Sequence, residues 1–195
     1  MVISKGEDWG EDYDGEVVDS FDSEFELAQI VKKSYESGNR LVASLTQGDL
    51  LNSFGGGSNR KRIYEMDFCI AELDDKIEYA FISFFSAGKP FRSADVNFAI
   101  NGTSVGSWQL GPRSHPNDGL LDITRGTMTL TQLFLARKKA KNGAHLPHPN
   151  LKYKRLEKDE WCFKKPKPIF CDQKYLGKAK KVKLWVIGDG FSLIV

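Results

Sequence analysis

The sequence predicts an α+β protein, mainly an antiparallel β-sandwich with one crossing helix, preceded by a short α/β segment. Two observations carry this prediction. From residue 61 onward, runs rich in aromatic and β-branched residues alternate with turn signals such as Asp74–Asp75, a pattern typical of antiparallel strands. Before residue 58 there is room for only one helix, one strand and a loop, which is too little chain for a complete nucleotide-binding domain.

The first segment begins with a helical pattern over residues 23–37. Ser23 and Glu26 have the spacing of a capping box, an apolar stripe follows, and Gly38 ends the pattern. Residues 40–45 then have the composition of a short buried strand. A glycine-serine stretch follows, and we place the domain boundary there, with residues 1–57 on one side and residues 58–195 on the other.

The second segment is predicted to consist of strands around a single helix. The strand-like runs cover residues 62–73, 76–85, 95–101, 106–111, 120–124, 153–163, 166–171, 179–187 and 191–195. The helix is predicted over 129–143, with Leu130, Leu133, Phe134 and Arg137 on one side and Gly143 as its stop.

Charge is distributed unevenly along the chain. Residues 1–26 hold ten acids and one lysine, whereas residues 137–183 hold sixteen Lys or Arg and four acids. The basic part is either a solvated face or a surface that attracts anionic lipid headgroups or nucleotide phosphates. Its aromatic residues follow no RNA-binding motif, so no nucleic acid is expected as a partner.

The cysteines and the hydropathy limit the class of protein further. Three cysteines without metal-ligand spacing favour neither a disulfide framework nor a zinc site. No window approaches the roughly 18 apolar residues of a membrane span. We therefore expect a cytoplasmic protein whose contact with a membrane, if it has one, is peripheral.

Two acidic turns are candidate sites. In the first, Asp118 sits in an Asn-Asp-Gly turn and Asp122 follows on the next strand. Such a turn either holds Mg²⁺ or Ca²⁺ through a carboxylate and backbone carbonyls, or is an Asx-type turn that orders the strand entry. In the second, Asp172 sits in a hairpin between two apolar strands, where it is either structural or, if buried and paired, a general base.

Taken in order, four segments resemble the diacylglycerol kinase family of lipid kinases, which includes the sphingosine kinases. "LTQGDLLNSFGG" (45–56) is similar to the family's GTGNDLARSLG-type segment, and "INGTSVGSWQLGPRSHPNDGLLDI" (100–123) is similar to its run ending in DGLLDV. The predicted helix with "GAHLPHP" after it comes next, and "CDQKYLGKAKKVKLWVI" (171–187) stands where the family has a DGE motif. The resemblance runs from about residue 40 to the end.

The resemblance implies a two-domain enzyme that transfers a phosphoryl group from ATP to a lipid hydroxyl, with Mg²⁺ bridging the phosphates. On matching positions, Thr46 and Asp49 would face the nucleotide. Asp118 falls on the DGLLD aspartate associated with a divalent ion. Asp172 falls on the DGE aspartate and is the candidate general base.

The sequence departs from the family pattern at three points. The phosphate-binding GGDGT loop is absent, Gly48 stands where the family has Asn, and Lys174 stands where the DGE motif has its acid. Residues 1–57 are therefore predicted to be a reduced nucleotide-binding domain. Three functions stay open. The first is a lipid kinase, active through a reduced nucleotide site or with a partner chain that supplies the missing domain. The second is a non-catalytic sandwich that binds a lipid, a small ligand or a protein partner, with the basic part of the chain directing it to an anionic membrane surface. The third is a purely structural or interaction domain.

Overall fold

The computed structural model describes residues 9–16, 19–54 and 61–195. It contains helices α1 (Glu24–Glu36) and α2 (Leu130–Ala140) and a 3-10 turn at Leu51–Phe54. The strands are β1 (Glu11–Asp12), β2 (Asp19–Phe21), β3 (Leu41–Leu45), β4 (Arg62–Leu73), β5 (Ile77–Phe81), β6 (Phe84–Ala87), β7 (Asp95–Ile100), β8 (Leu121–Thr127), β9 (Leu151–Leu156), β10 (Lys158–Cys171) and β11 (Lys174–Ile194). Within these described ranges no helix is long and apolar enough to cross a membrane.

The strands form one sheet whose main path runs β1-β4-β11-β10-β6-β7-β8-β9. In the described part of the chain the pairings are antiparallel, except that β3 lies parallel to β2 and to β11. The sheet folds over on itself, so β4 and β11 face β7 and β8 across a core that includes Phe85, Trp161 and Val182. The predicted class, mainly an antiparallel β-sandwich with helices added, is confirmed.

Helix α1 forms where the sequence predicts it and covers one outer face of the sheet. Ser23 caps it, because its Oγ accepts a hydrogen bond from Glu26 N at 3.3 Å. Leu27 and Val31 are fully buried against a second core that includes Phe191. An amphipathic helix of this length depends on such tertiary packing for its stability.

Helix α2 covers the other outer face, but with a different stripe from the predicted one. Thr129 and Gln132 form its capping box. Leu133 is buried together with Ala136 and Ala140, the small residues that let the helix approach the sheet. Leu130 and Phe134, predicted to lie on the same side as Leu133, are instead 80% and 71% exposed. The packed stripe is rotated away from them toward the alanines.

Several predicted strand runs differ from the structure. The run 153–163 is divided between β9 and β10 at Glu157, and the runs 179–187 and 191–195 are parts of the single strand β11. Residues 106–111 are not a strand, since they belong to a turn with one isolated bridge between Val105 and Trp108. The run 76–85 is broken into β5 and β6 at Ile82, because the backbone amides there bind a side-chain carboxylate instead of a neighbouring strand.

The short α/β segment is continuous with the rest of the sheet. Strand β3 pairs with the last residues of β11, from Leu41 opposite Phe191 to Ser44 opposite Ile194. The position of the domain boundary stays a prediction, and the glycine-serine stretch in which we place it (55–58) lies outside the described residues.

Because β4 and β11 contribute residues both to the sandwich core and to the core under α1, we expect the chain to unfold in a single transition. Leu27→Ala should lower the free energy of unfolding by about 2–5 kcal/mol, the usual cost of removing a buried leucine. Ile30→Ala, at a position 42% exposed on the same helix, is the control and should change it by less than about 1 kcal/mol. Urea unfolding followed by circular dichroism measures both. A two-step curve, with only the first step shifted by Leu27→Ala, would contradict the coupling of the two cores through β4 and β11.

Candidate functional site

The break between β5 and β6 is built around the carboxylate of Asp172. Asp172 and Gln173 form the two-residue turn between β10 and β11, both with positive φ (42° and 64°), as a type I′ hairpin requires. From this turn Asp172 Oδ2 accepts a hydrogen bond from Ile82 N at 2.9 Å. Its Oδ1 accepts from Ser83 N at 3.0 Å and Phe84 N at 2.9 Å. The carboxylate thus satisfies the three amides that the strand break leaves without a β-ladder partner.

A second carboxylate, Glu24, reaches the same point from the first turn of α1. It is only 8% exposed. Its Oε1 accepts a hydrogen bond from Leu50 N, and its Oε2 lies 2.5 Å from Ser83 Oγ. Gly48 lies beside it with a φ of 142°, a conformation that favours glycine, and a Cβ at this position would also meet the Glu24 carboxylate. The side chain of Glu24 therefore occupies the space that a larger residue at position 48 would need.

The side chains of Glu24, Ser83 and Asp172 form one hydrogen-bonded line, with the Ser83 hydroxyl between the two carboxyl groups. Ser83 Oγ lies within hydrogen-bond distance of both Glu24 Oε2 and Asp172 Oδ1 (3.0 Å), but a hydroxyl has only one hydrogen to donate. Burial, reinforced by the charge of Asp172, raises the pKa of Glu24 to about 7. Below this pKa Glu24 is protonated and donates to Ser83, which leaves the hydroxyl hydrogen of Ser83 for Asp172; above it the two carboxylates compete for that one hydrogen.

Asp49 completes this carboxylate cluster, which we define as Glu24, Asp49 and Asp172. Asp49 is 7% exposed, and its Oδ1 accepts a hydrogen bond from Gly106 N at 2.7 Å. Its Oδ2 accepts from the side-chain amide of Gln173, the neighbour of Asp172. The sequence-predicted residues Asp49 and Asp172 are thus brought together.

Thr46, the other residue predicted to face a nucleotide, lies in a different environment. Its side chain is exposed, and its hydroxyl donates to the carbonyl oxygen of Phe21 at 3.2 Å. This contact ties the end of β3 to β2.

A pocket of about 340 Å³ opens beside the carboxylate cluster. We call it the aromatic pocket, because Phe84, Trp108 and Phe170 line it. Gln173, which binds Asp49, forms part of its wall. The remaining lining residues include two cations, Lys89 and Arg92. An apolar wall with cationic side chains suits an amphiphile with an anionic head.

Asp118 lies in a separate group of charged residues. Its Oδ1 accepts a hydrogen bond from Leu120 N at 3.0 Å, which is the Asx-type turn geometry, and its Oδ2 pairs with the Arg155 guanidinium. Arg155 also pairs with Asp122 at 3.1 Å, and Tyr153 donates its hydroxyl hydrogen to Asp122. Burial raises the pKa of both aspartates. In the described part of the chain no three His, Cys, Asp or Glu side chains are placed to hold a metal ion, and the assignment of a cation to Asp118 stays a prediction.

Two further carboxylates, Asp67 and Glu24, organise these turns and were not predicted from the sequence. Asp67, fully buried on β4, accepts hydrogen bonds from Gly119 N at 2.7 Å and Asp189 N at 3.0 Å. Burial raises its pKa to about 6. Its signal was an aspartate inside an otherwise apolar strand run. Glu24 gave no comparable signal, because acids are common in the first turn of any helix.

Comparisons with known proteins identify the fold. No family model matches the sequence, and no curated protein sequence matches it. The structure is similar to a crystal structure of a diacylglycerol kinase from Bacillus anthracis strain Sterne, with 14% identity and a TM-score of 0.56 over 80% of this chain and 67% of that one.

Two further structures, both described as candidate diacylglycerol kinases of the same organism, are similar over more of the chain. Each is matched over 91% of this chain and 76% of its own length, with TM-scores of 0.63 and 0.64 and identities of 12% and 10%. Likeness at such low identity concerns the fold. The chain therefore has the fold of these diacylglycerol kinases.

Proposed function

We propose that this protein is a lipid-binding module with a diacylglycerol kinase fold, which docks on an anionic membrane surface through α2 and takes a lipid into the aromatic pocket without transferring phosphate by itself. The observation that carries the proposal is the exposure of large apolar side chains on α2 next to basic ones.

Helix α2 combines apolar and basic residues on its exposed surface. Leu130 and Phe134 are 80% and 71% exposed, and Leu135 is 51% exposed. The last turn carries Arg137 together with Lys138 and Lys139. Apolar side chains that enter the headgroup region, flanked by lysine and arginine, are the features by which interfacial helices bind anionic bilayers.

The exposed face of α2 leads to the aromatic pocket. Leu130, Phe134 and Arg137 follow one another at intervals of four and three residues, which places them on one face of the helix. The Arg137 guanidinium lies over the Trp108 ring, 5.5 Å from its centroid, and Trp108 lines the pocket. A lipid that leaves a membrane beneath α2 would enter the aromatic pocket past Trp108. Lys89, which lines the same pocket, would then face an anionic headgroup.

The hydrogen bonding of the carboxylate cluster supports a role in holding the fold together. Both oxygens of Asp172 are bound by backbone amides, and both of Asp49 by Gly106 and Gln173. A general base acts through a lone pair that faces the proton it removes, whereas these bonds direct both carboxylates toward groups of the chain itself. The sequence also lacks the GGDGT loop and has Lys174 at the acidic position of the DGE motif.

Phosphoryl transfer from ATP to a lipid hydroxyl is the second candidate function. The observation that favours it is the hydrogen-bonded line from Glu24 through Ser83 to Asp172, which runs beside the aromatic pocket. In this scheme Asp172 is the base, Thr46 and Asp49 face the nucleotide, and Asp118 binds Mg²⁺. A partner chain would supply the missing phosphate-binding loop.

Membrane docking by α2 is tested with Leu130→Ser/Phe134→Ser in co-sedimentation with vesicles. The wild-type protein should bind vesicles that contain phosphatidylglycerol better than vesicles of phosphatidylcholine alone, and added salt should weaken the binding. The double variant should bind at least about tenfold more weakly, since it loses the insertion of two large apolar groups.

The control for that experiment is Ile77→Ser, which removes a 54% exposed apolar side chain from the start of β5 and should bind vesicles like the wild type. Equal binding by the wild type and the double variant, or no binding by the wild type at low salt, would contradict docking through α2. Binding with no preference for the anionic vesicles would count against the proposed charge match.

The absence of autonomous phosphoryl transfer is tested by calorimetry with ATP and Mg²⁺. We expect no heat beyond that of dilution and no ATP turnover in the presence of diacylglycerol vesicles. Asp172→Asn should still lower the free energy of unfolding by about 1–3 kcal/mol, because an amide nitrogen would face backbone donors. Asp22→Asn, at an exposed position, is the matched control. Vesicle-dependent turnover that is lost in folded Asp172→Asn but kept in Asp22→Asn would favour the kinase instead.

The structural role of the cluster predicts a pH dependence of stability. Folding raises the pKa of Glu24 to about 7, so the folded state holds this proton more tightly than the unfolded state. The contribution of Glu24 is complete below its unfolded pKa and is lost as the pH rises through the folded one. Glu24→Gln keeps a donor to Ser83 and an acceptor for Leu50, and it should lose nothing over this range.

Between about pH 5 and pH 8 the wild type should therefore lose up to about 3 kcal/mol of its free energy of unfolding relative to Glu24→Gln. Urea unfolding at the two pH values measures it. Glu26→Gln, exposed in the same helical turn, should show no such shift. A shift of opposite sign, or none, would mean that Glu24 is ionised in the folded protein.

A further inference from the structure

The β-sandwich has an open end, away from the carboxylate cluster, where a cavity of about 930 Å³ enters between the two sheet layers. Strand β9 pairs with β8, and the next strand, β10, departs from its own partner between Cys162 and Lys167. Residues 163–166 bulge there and include a proline, which has no amide hydrogen to donate. The two layers therefore stay apart at this end.

The wall of this cavity is strongly basic. We call it the cationic mouth and define it by the six cations that line it: Arg125, Lys152, Lys154, Lys164, Lys165 and Lys167. The inward position of Arg125 on β8 is directly opposite Lys152 on β9, and like charges at such cross-strand positions destabilise a sheet.

Two acids, Asp95 and Asp159, also line the cationic mouth, so its cations outnumber its acids by six to two among the described residues. Lys167 pairs with Asp95 at 2.5 Å. Arg125 donates a hydrogen bond to Asn97 at 3.2 Å and lies over the Trp161 ring. The other four lysines form no ion pair with any described residue. A cavity wall with this excess of positive charge concentrates anions.

The floor of the cationic mouth is apolar. Ile123 and Phe163 line it, and both belong to or pack against the core around Trp161. The volume lies in the range of small-molecule sites, which combine an apolar wall with a few placed polar groups.

We infer that the cationic mouth is a binding site for a ligand that carries a phosphate group with two or more negative charges, with the apolar part of the ligand, where it has one, on Ile123 and Phe163. The site is separate from the aromatic pocket and independent of its function. The two cavities share no lining residue.

Calorimetry with two probes tests the site: inorganic pyrophosphate, and a short-chain lysophosphatidic acid below its micelle concentration. Lys152→Gln/Lys154→Gln should weaken the binding of both probes at least about tenfold. The matched control is Lys33→Gln/Lys76→Gln, which removes the same charge from two exposed positions elsewhere and should bind like the wild type. Tighter binding of the lysophosphatidic acid identifies a lipid headgroup as the natural source of the phosphate, whereas equal binding identifies a free phosphate compound.

Cys162 provides a second measurement that needs no substitution. It lines the cationic mouth and is exposed, whereas Cys69 and Cys171 are fully buried, so a thiol reagent added to the folded wild-type protein should label Cys162. Either probe should slow this labelling severalfold at a concentration that saturates the calorimetric signal. The inference is overturned if neither probe binds the wild-type protein, or if a bound probe leaves the labelling rate of Cys162 unchanged. It is also overturned if Lys152→Gln/Lys154→Gln and Lys33→Gln/Lys76→Gln weaken the binding of the probes equally.

Discussion

The arrangement of the carboxylate cluster and of the strands beside it depends on one interaction. The Asp172 carboxylate binds the backbone amides of Ile82, Ser83 and Phe84. It ends β5, starts β6 and so lets the sheet turn from one layer of the sandwich to the other. Because Ser83 also contacts Glu24, the same point anchors the first turn of α1. Asp49 and Asp172, to which the family resemblance assigns roles in catalysis, form hydrogen bonds in this structure that connect separate segments of the chain.

The chain therefore has the fold of the diacylglycerol kinases without the arrangement of polar groups that their chemistry would be expected to need. The likeness to the diacylglycerol kinases covers most of its length. Its polar residues, however, are arranged for internal contacts: Gln173 binds Asp49, Arg155 binds Asp118, and Glu24 fills the space beside Gly48. Cationic and apolar side chains are exposed on α2, and cations line both cavities. This distribution supports binding of an anionic amphiphile more directly than it supports phosphoryl transfer.

The elements set by local periodicity could be predicted from the sequence, and those set by long-range contacts could not. The capping residue Ser23 and the apolar stripe after it located α1, and alternation located most strands. The break at Ile82 depends on Asp172, ninety residues away, and no local pattern contains it. The rotation of α2 depends on how closely Ala136 and Ala140 approach the sheet. Asp172 was a candidate from its place in a hairpin, Asp49 was found through the resemblance, and Glu24 was hidden because its position suits any helix start.

The protonation of Glu24 in the folded protein is tested most directly by a carbon-13 NMR titration of the side-chain carboxyl groups. The account predicts that the Glu24 carboxyl carbon shifts with a midpoint near pH 7. The amide protons of Ile82, Ser83 and Phe84 should respond at the same midpoint, because their acceptor is hydrogen-bonded to the same hydroxyl. A Glu24 midpoint near its ordinary value of about 4.3, with no response at those amides, would contradict the account.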